Sequence, residues 1–257
     1  MSEAKKLKDE VKKINKPILG VIITHPHPDH IGRTEILLNG TINVPVYSTR
    51  SVYDIMKNHT GGLIALAKEF HGNDYADNIV LPSNLINSDT NVTIDETVYS
   101  FKDIGPGEAG DMTLIYLPAQ RILFTGDMVN NDMIPFLAEG RSLDWIKQLE
   151  YIIHNYSHVK FLYPGHGQYE SAKILLDKQL SYINKFRSLV EQQLQSDAEG
   201  GDESSTKITE YGKIKIKNEL QRLYPHYISV AKLLDNLDLN YMNIDAVVNK
   251  INKNKNK

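Results

Sequence analysis

The stretch THPHPDHIG at residues 24–32 constrains this chain more than any other part of its sequence. Three histidines, one aspartate and two prolines occupy the six positions from 25 to 30. A residue that precedes proline is driven into extended conformation, so each proline holds the histidine before it in a strand-like arrangement. Side chains two residues apart in such a segment point to one side, which places His25 and His27 to bind one metal ion.

The sequence around this stretch predicts where it lies in the fold. The β-branched run ILGVIIT at 18–24 predicts a buried strand, and the run at 31–39 predicts a helix. The end of a strand next to the start of a helix is where α/β folds place ligands. Asp29 and His30 lie at this turn and are therefore candidates to bind a second metal ion. So dense a cluster is far rarer than composition predicts for a polar loop with incidental histidines.

Four ligands on one loop do not complete two metal sites, so other strand ends must supply the rest. Three candidates lie in glycine-rich turns beside apolar strands: Glu108 in GPGEAGDM, Asp127 in FTGD and His166 in YPGHG. Each alone is typical of an ordinary turn, and only the set in this order indicates a site. The other histidines lack ligand spacing and are predicted to be surface or local hydrogen-bond partners: His59, His71, His154, His158 and His226.

The pattern of strands and helices changes near residue 170. Strands alternate with helices up to about that point, which predicts one layered α/β domain over residues 1–170, including a helix with Ser142 as N-cap. Residues 171–257 are predicted to be a helical extension, because long amphipathic segments dominate there. The polar stretch SDAEGGDESST at 196–206 is the predicted linker, and 249–257 is a predicted frayed tail.

Charge and composition exclude several classes of function. The formal net charge is −3 with both signs mixed, so nothing favours binding to nucleic acid or to a membrane surface. The chain has no cysteine, which excludes disulfides and thiolate metal ligands. No apolar run approaches the length of a membrane span, and the N-terminus is typical of a charged helix. We expect a cytoplasmic protein with a small-molecule substrate, with a lost N-terminal signal as the alternative.

The set HPHPDH, FTGD and YPGHG resembles the metallo-β-lactamase superfamily over roughly residues 14–170. This resemblance implies an αββα sandwich with two divalent metal ions, zinc in the first place, bridged by water or hydroxide. By position, the matches to the family's ligands are His25 and His27 for the first ion, Asp29, His30 and His166 for the second, and Asp127 as the carboxylate that bridges both.

The chain departs from this family at two places. Most members carry a histidine where Glu108 stands, but GPGEAGDMTLIYLP is similar to the secreted alkylsulfatases, in which a glutamate at this place is a metal ligand. Three carboxylates and one hydroxide would neutralise two divalent cations. The oxygen-rich first site makes manganese or iron an alternative to zinc. The second departure is that one helix alone precedes the strand at 18–24, so the predicted sandwich is N-terminally shortened.

The resemblance implies a binuclear metal-dependent hydrolase in which a metal-bridging hydroxide attacks the substrate. Asp29 is the predicted catalytic residue, placed to orient the hydroxide or to pass a proton to the leaving group. A small-molecule ester or lactone is the expected substrate, with an alkyl sulfate or a β-lactam as alternatives. A different reading remains open, in which the chain is a non-catalytic relic that holds one metal ion or none. The C-terminal helices are a possible surface for a homodimer.

Overall fold

The structure, a computed structural model, describes residues 2–58, 62–72, 75, 79–199, 206–229 and 238–255. The chain divides into two units, of which the first is Met1–Gly105 with Asp111–Gln120. The second unit is Pro106–Gly110 with Arg121–Lys257. The boundary predicted at residue 170 falls inside the second unit, and a separate domain over 171–257 stays a prediction.

The first unit contains parallel strands, antiparallel strands and several helices. Its elements are α1 (Ser2–Ile14), β1 (Val21–Ile22), α2 (Pro28–Ile31), α3 (Thr34–Leu38), β2 (Val46–Thr49), α4 (Arg50–Asn58), α5 (Leu63–His71), β3 (Asn84–Ile86), β4 (Thr90–Ile94), β5 (Thr97–Gly105) and β6 (Met112–Leu117). Strands β1, β2 and β3 form a parallel sheet, and β4, β5 and β6 pair antiparallel. The chain leaves β1 just before the histidine-rich stretch, which therefore follows the carboxyl end of a parallel strand.

The second unit is built around a long central helix. Its elements are β7 (Ile122–Asn130), β8 (Met133–Ile134), α6 (Ser142–Asn155), β9 (Phe161–His166), β10 (Glu170–Ser171), α7 (Ala172–Glu199), α8 (Glu210–Leu223), β11 (Ile228–Ser229) and α9 (Leu239–Lys255). Strands β7 and β9 run parallel, β10 pairs antiparallel with β9, and β8 pairs parallel with β11. Helix α7 packs on β7 and β9 and also contacts α6, α8 and α9. Its core-facing side chains include Phe186, which is fully buried.

The structure confirms the predicted α/β class, with two corrections near predicted helix starts. The helix predicted over 31–39 is interrupted because Arg33 adopts a left-handed conformation with φ of 64°. The N-cap of α6 is Arg141 rather than Ser142. Ser142 lies inside the first turn, where its hydroxyl accepts a hydrogen bond from the Arg187 guanidinium over 2.8 Å. A contact 45 residues away decides this role, so the local pattern could not predict it.

Two predictions for the C-terminal part are also wrong within the described residues. Residues 196–199 of the predicted linker continue α7, while 200–205 lie outside the described residues. Asp197 accepts hydrogen bonds from both the backbone and the hydroxyl of Thr209, so polar contacts hold this helical turn. Residues 249–255 of the predicted tail belong to α9, where Asn252 donates to the Thr206 carbonyl over 2.6 Å. Among the described residues, no helix is long and apolar enough to cross a membrane.

Candidate metal centre

The histidine-rich loop of the first unit, residues 24–32, has its ligand-type side chains on one side. His27 is extended, with φ of −72° and ψ of 146°, and it forms the N-cap of α2. The rings of His25 and His27 lie 5.0 Å apart between centroids, and both side chains are buried. Thr24 Oγ1 lies 3.0 Å from His25 Nδ1, which leaves Nε2 as the nitrogen that His25 would present to a metal ion.

The first turn of α2 carries the other two candidates of this loop. The ring of His30 lies 4.2 Å from that of His25 between centroids, so three histidines cluster here. Asp29 Oδ2 lies 3.4 Å from His30 Nε2. The Asp29 side chain is half exposed, whereas His25 and His27 are buried, so Asp29 remains accessible to water.

The end of the loop is closely packed around the carbonyl of Pro28. This oxygen accepts hydrogen bonds from Gly32 N over 2.8 Å and from the Tyr75 hydroxyl over 3.2 Å. A Cβ on Gly32 would come within 2.6 Å of the same oxygen, so glycine is required for this approach. Burial, followed by the charges of Asp29 and Glu35, raises the pKa of Tyr75 to about 12. The Tyr75 hydroxyl is therefore a protonated donor at neutral pH.

The second unit carries the other three candidates on separate segments. Glu108 is 1% exposed in the short turn before β6, where Gly107 N donates to the Ala109 carbonyl. Asp127 is 2% exposed near the end of β7, and His166 is the last residue of β9. The imidazole Nε2 of His166 lies 3.2 Å from Asp127 Oδ2, because β7 and β9 are parallel neighbours.

Gly165 makes the approach of Asp127 to β9 possible. A Cβ at this position would lie 1.8 Å from Asp127 Oδ1 and 2.8 Å from the Asp127 backbone nitrogen. Real Cβ atoms do not come so close to other heavy atoms, so any side chain here would displace the carboxylate. The glycine in YPGHG therefore has a steric function in addition to forming a turn.

Within each unit the structure brings part of the predicted set together. The first unit groups His25, His27 and His30 with Asp29 beside them, and the second groups Asp127 with His166. The assignment of individual ligands to a first or second ion stays a prediction. Outside the set, His71 stacks on Tyr75 and His158 on Tyr156, each at 6.3 Å between ring centroids. His59 lies outside the described residues.

Sequence reasoning missed two polar residues that contact the predicted ligands, and a third that contacts one of these two. Thr24 contacts the His25 ring. Asn130 is bound to the backbones of Asp127 and His166 and also to Gln179 on α7. Asn130 follows Asp127 by three positions on the same strand, but nothing in the sequence relates it to Gln179, 49 residues away.

A cavity of about 420 Å³ lies elsewhere in the first unit, along α4 and at the end of β3. Its lining includes Ser51 and Asp103 but none of the predicted ligands. Asp111, which is buried, has hydrogen bonds with Ser51 and Asp103. Burial is the main cause that raises the pKa of the Asp111 carboxyl to about 6, and Asp103 contributes to the rise.

Comparison with known proteins gives the family. Residues 2–181 match the family model of the metallo-beta-lactamase superfamily. The chain is 29% identical over 173 residues to the metallo-beta-lactamase type 2 of Bacillus cereus, and this match covers 64% of the chain. It is 28% identical over 169 residues to the metallo-beta-lactamase type 2 of Bacillus sp. strain 170. The matched part spans 58% of the length of each of these relatives.

Solved structures give the fold. The chain is similar to a metallo-beta-lactamase from Pontibacter korlensis, with a TM-score of 0.55 and 22% identity over 70% of this chain and 76% of that one. It is also similar to metallo-beta-lactamase IND-7, with a TM-score of 0.56 and 19% identity over 70% of this chain and 75% of that one. These likenesses confirm the predicted fold class. Because the family model matches most of the length of this chain, the chain belongs to the metallo-β-lactamase superfamily.

Proposed function

We propose that this chain is a binuclear metal-dependent hydrolase whose ligands are the seven residues predicted from the sequence. The observation that carries the proposal is a pair of donor groups in each unit at the ends of parallel strands. His25 and His27 offer nitrogens within 4.8 Å of each other, and Asp127 and His166 offer an oxygen and a nitrogen within the same limit. Superfamily membership supports this reading, because its members are generally hydrolases.

The chemistry of these side chains fits divalent metal ions. Histidine nitrogen and carboxylate oxygen are zinc ligands in proteins, and the chain has no thiolate to offer instead. Glu108 and Asp127 are almost fully buried, and buried carboxylates favour cations that balance their charge. We expect two zinc ions, with manganese or iron as alternatives because carboxylates supply several of the ligand atoms.

The residues of the proposed site would have separate roles in hydrolysis. Bound metal ions supply an acidified water and polarise a carbonyl oxygen. The half-exposed Asp29 carboxylate accepts a proton and passes it to the leaving group, for which its contact with solvent is suitable. Thr24 holds Nδ1 of His25 and so fixes the orientation of that ring. The Asp127–His166 contact holds the second pair of donors in place.

The substrate proposed first is a small-molecule ester or lactone. A β-lactam is the second candidate, because the Bacillus relatives are named as metallo-beta-lactamases and match about two thirds of this chain. An alkyl sulfate is third, from the similarity of the GPGEAGDM segment to alkylsulfatases. A cytoplasmic location and a homodimer through the C-terminal helices stay predictions.

Metal analysis together with a hydrolysis screen tests the proposal. The zinc-replete protein is expected to hold two equivalents by elemental analysis and to cleave ester or lactone probes faster than β-lactam and alkyl sulfate probes. Asp127→Ala should lose most bound metal and at least about 100-fold in rate, because it removes a buried ligand. Asp144→Ala, at a partly exposed carboxylate in the first turn of α6, is the matched control and should change neither quantity. Less than one equivalent of metal with no hydrolysis would favour the non-catalytic alternative.

Glu108 separates the alkylsulfatase-like ligand set from an ordinary buried acid. Glu108→Ala should lower the metal content towards one equivalent. Glu108→His should restore two, because imidazole is a good zinc ligand. If both variants match the parent in metal content and pH profile, Glu108 is not a ligand.

A further inference from the structure

Strand β7 is bulged where it passes the end of β9. Gly126 pairs with Pro164, and the next pair is Asn130 with His166. Residues 127–129 of β7 therefore lie opposite Gly165 alone, so β7 carries two more residues than its neighbour over this interval. Asp127 is the first residue of the bulge. A bulge redirects side chains, and it needs contacts from outside the strand pairing to keep one conformation.

Asn130 closes this bulge through both ends of its side-chain amide. Its Oδ1 accepts a hydrogen bond from the His166 backbone nitrogen over 3.1 Å. Its Nδ2 donates to the Asp127 carbonyl over 3.4 Å. Asn130 is 3% exposed, so water does not compete for these bonds. The Asn130 side chain thus connects the backbones of Asp127 and His166, whose own side chains lie 3.2 Å apart.

Gln179 on α7 holds Asn130 in turn. Its Oε1 accepts the hydrogen bond of the Asn130 backbone nitrogen over 3.0 Å, and its side chain is also 3% exposed. Within the described ranges its Nε2 has no hydrogen-bond partner. A buried donor without a partner costs free energy, which an apolar side chain of similar size would avoid. The acceptor oxygen is therefore the group that explains why a glutamine, rather than an apolar side chain, stands at this position.

We infer that Asn130 and Gln179 are positioning residues for the Asp127–His166 half of the metal centre. The inference rests on the proposed function, since it assigns these two residues to the support of proposed ligands. Groups that hydrogen-bond to metal ligands without contacting the metal change its affinity by about 10–100-fold when they are removed. Helix α7, predicted from sequence to be an extension, would then be part of the support of the site.

Four variants of the full-length protein test this inference. Gln179→Met removes the acceptor at nearly constant volume, and Gln179→Glu keeps an acceptor oxygen. Gln193→Met is the control, because Gln193 lies on the same helix and its side-chain amide donates to Asp197 of that helix over 2.7 Å. Asn130→Asp keeps the acceptor for His166 and removes the donor for Asp127. Urea unfolding of each metal-free variant gives its stability separately.

The first readout is zinc affinity, measured by competition with a chromogenic chelator. The second is the set of NMR resonances of the His166 ring in the metal-free protein, which are assigned by their loss in His166→Gln. Gln179→Met should lose about 10–100-fold in affinity at one zinc site and shift the His166 resonances. Gln179→Glu should recover most of both, Asn130→Asp should lose an intermediate amount, and Gln193→Met should match the parent. Unchanged affinity and resonances in Gln179→Met would overturn the inference. If the parent binds none of zinc, manganese and iron, the proposed function fails, while the His166 resonances still decide whether Gln179 positions that ring.

Discussion

The loop at 24–32 in the first unit and the bulge of β7 in the second unit hold their side chains in different ways. In the loop, most of the shape comes from neighbours in sequence: the His27 carbonyl accepts from His30 and Ile31 nitrogens, and Pro28 begins α2. In the bulge, the holding groups are distant. Trp145 Nε1 donates to the Met128 carbonyl over 2.8 Å, and Gln179 accepts from Asn130.

This difference has a consequence for how each region responds to mutation. A locally determined loop keeps its conformation when one distant contact is removed, because its own dihedral preferences persist. A bulge held by distant residues loses its conformation when the space or the bonds around it change. The predictions below test the contrast, beginning with the largest expected effect.

Gly165→Ala should have the largest effect, because its Cβ would overlap Asp127 Oδ1 and crowd the Asp127 backbone. We expect a destabilisation of about 2–3 kcal/mol from overpacking, together with loss of zinc that depends on Asp127. Urea unfolding and metal analysis measure the two effects.

Gly140→Ala is the control in the same unit. The φ of Gly140 is 71°, but the nearest atom to an added Cβ would be 3.4 Å away. This variant should cost about 1 kcal/mol from backbone strain and leave zinc binding intact. Normal zinc content in Gly165→Ala would remove the steric argument.

Asp111→Asn tests a distant contact of the first unit. Asp111 precedes Thr113 by two residues, and Thr113 N donates to the Thr24 carbonyl at the start of the loop. Burial raises the pKa of the Asp111 carboxyl from its ordinary 3.8 to about 6, so the folded state prefers the protonated form. That contribution to stability is complete below about pH 3.8 and is lost as the pH rises through about 6.

The variant should therefore be more stable than the parent at pH 7.5, by about 1–3 kcal/mol, and the gain should shrink towards pH 4.5. Urea unfolding at the two pH values measures this. Asp89→Asn, at an exposed carboxylate whose pKa is lowered by Lys102, should not reproduce the gain. A gain of equal size at both pH values would show that titration of Asp111 is not its cause. Zinc content should match the parent, since Asp111 is not a proposed ligand.

Tyr75→Phe should have the smallest effect, because it removes one hydrogen bond to Pro28 from a loop that is held mainly by its own sequence. We expect a loss of about 1 kcal/mol in unfolding free energy and an unchanged zinc stoichiometry. Calorimetric titration with zinc provides the check. A larger loss of zinc affinity here than in Gln179→Met would reverse the comparison, since the loop would then be the region that depends on distant support.

The contrast also explains which parts of the fold were predictable. Periodicity predicts the long helices α6 and α7, and the β-branched run at 18–24 predicts the strand that contains β1. The two- and three-residue strands β3, β8, β10 and β11 were missed, because so few residues show no alternation. The end of α7 was misplaced, since a polar run such as 196–199 looks like linker unless its partners are known. Asp197 is held by Thr209, whose position only the folded chain defines.

For the candidate site, the sequence by itself determined the donor types, the extended geometry of His27, and the family. These follow from dihedral preferences and spacing, which act over a few residues and are therefore visible in the sequence. The tertiary structure alone decided the bulge at Asp127, the steric need for Gly165 and the pairing of Asn130 with Gln179. These depend on strand register and helix docking, which bring together residues tens of positions apart that no local pattern relates.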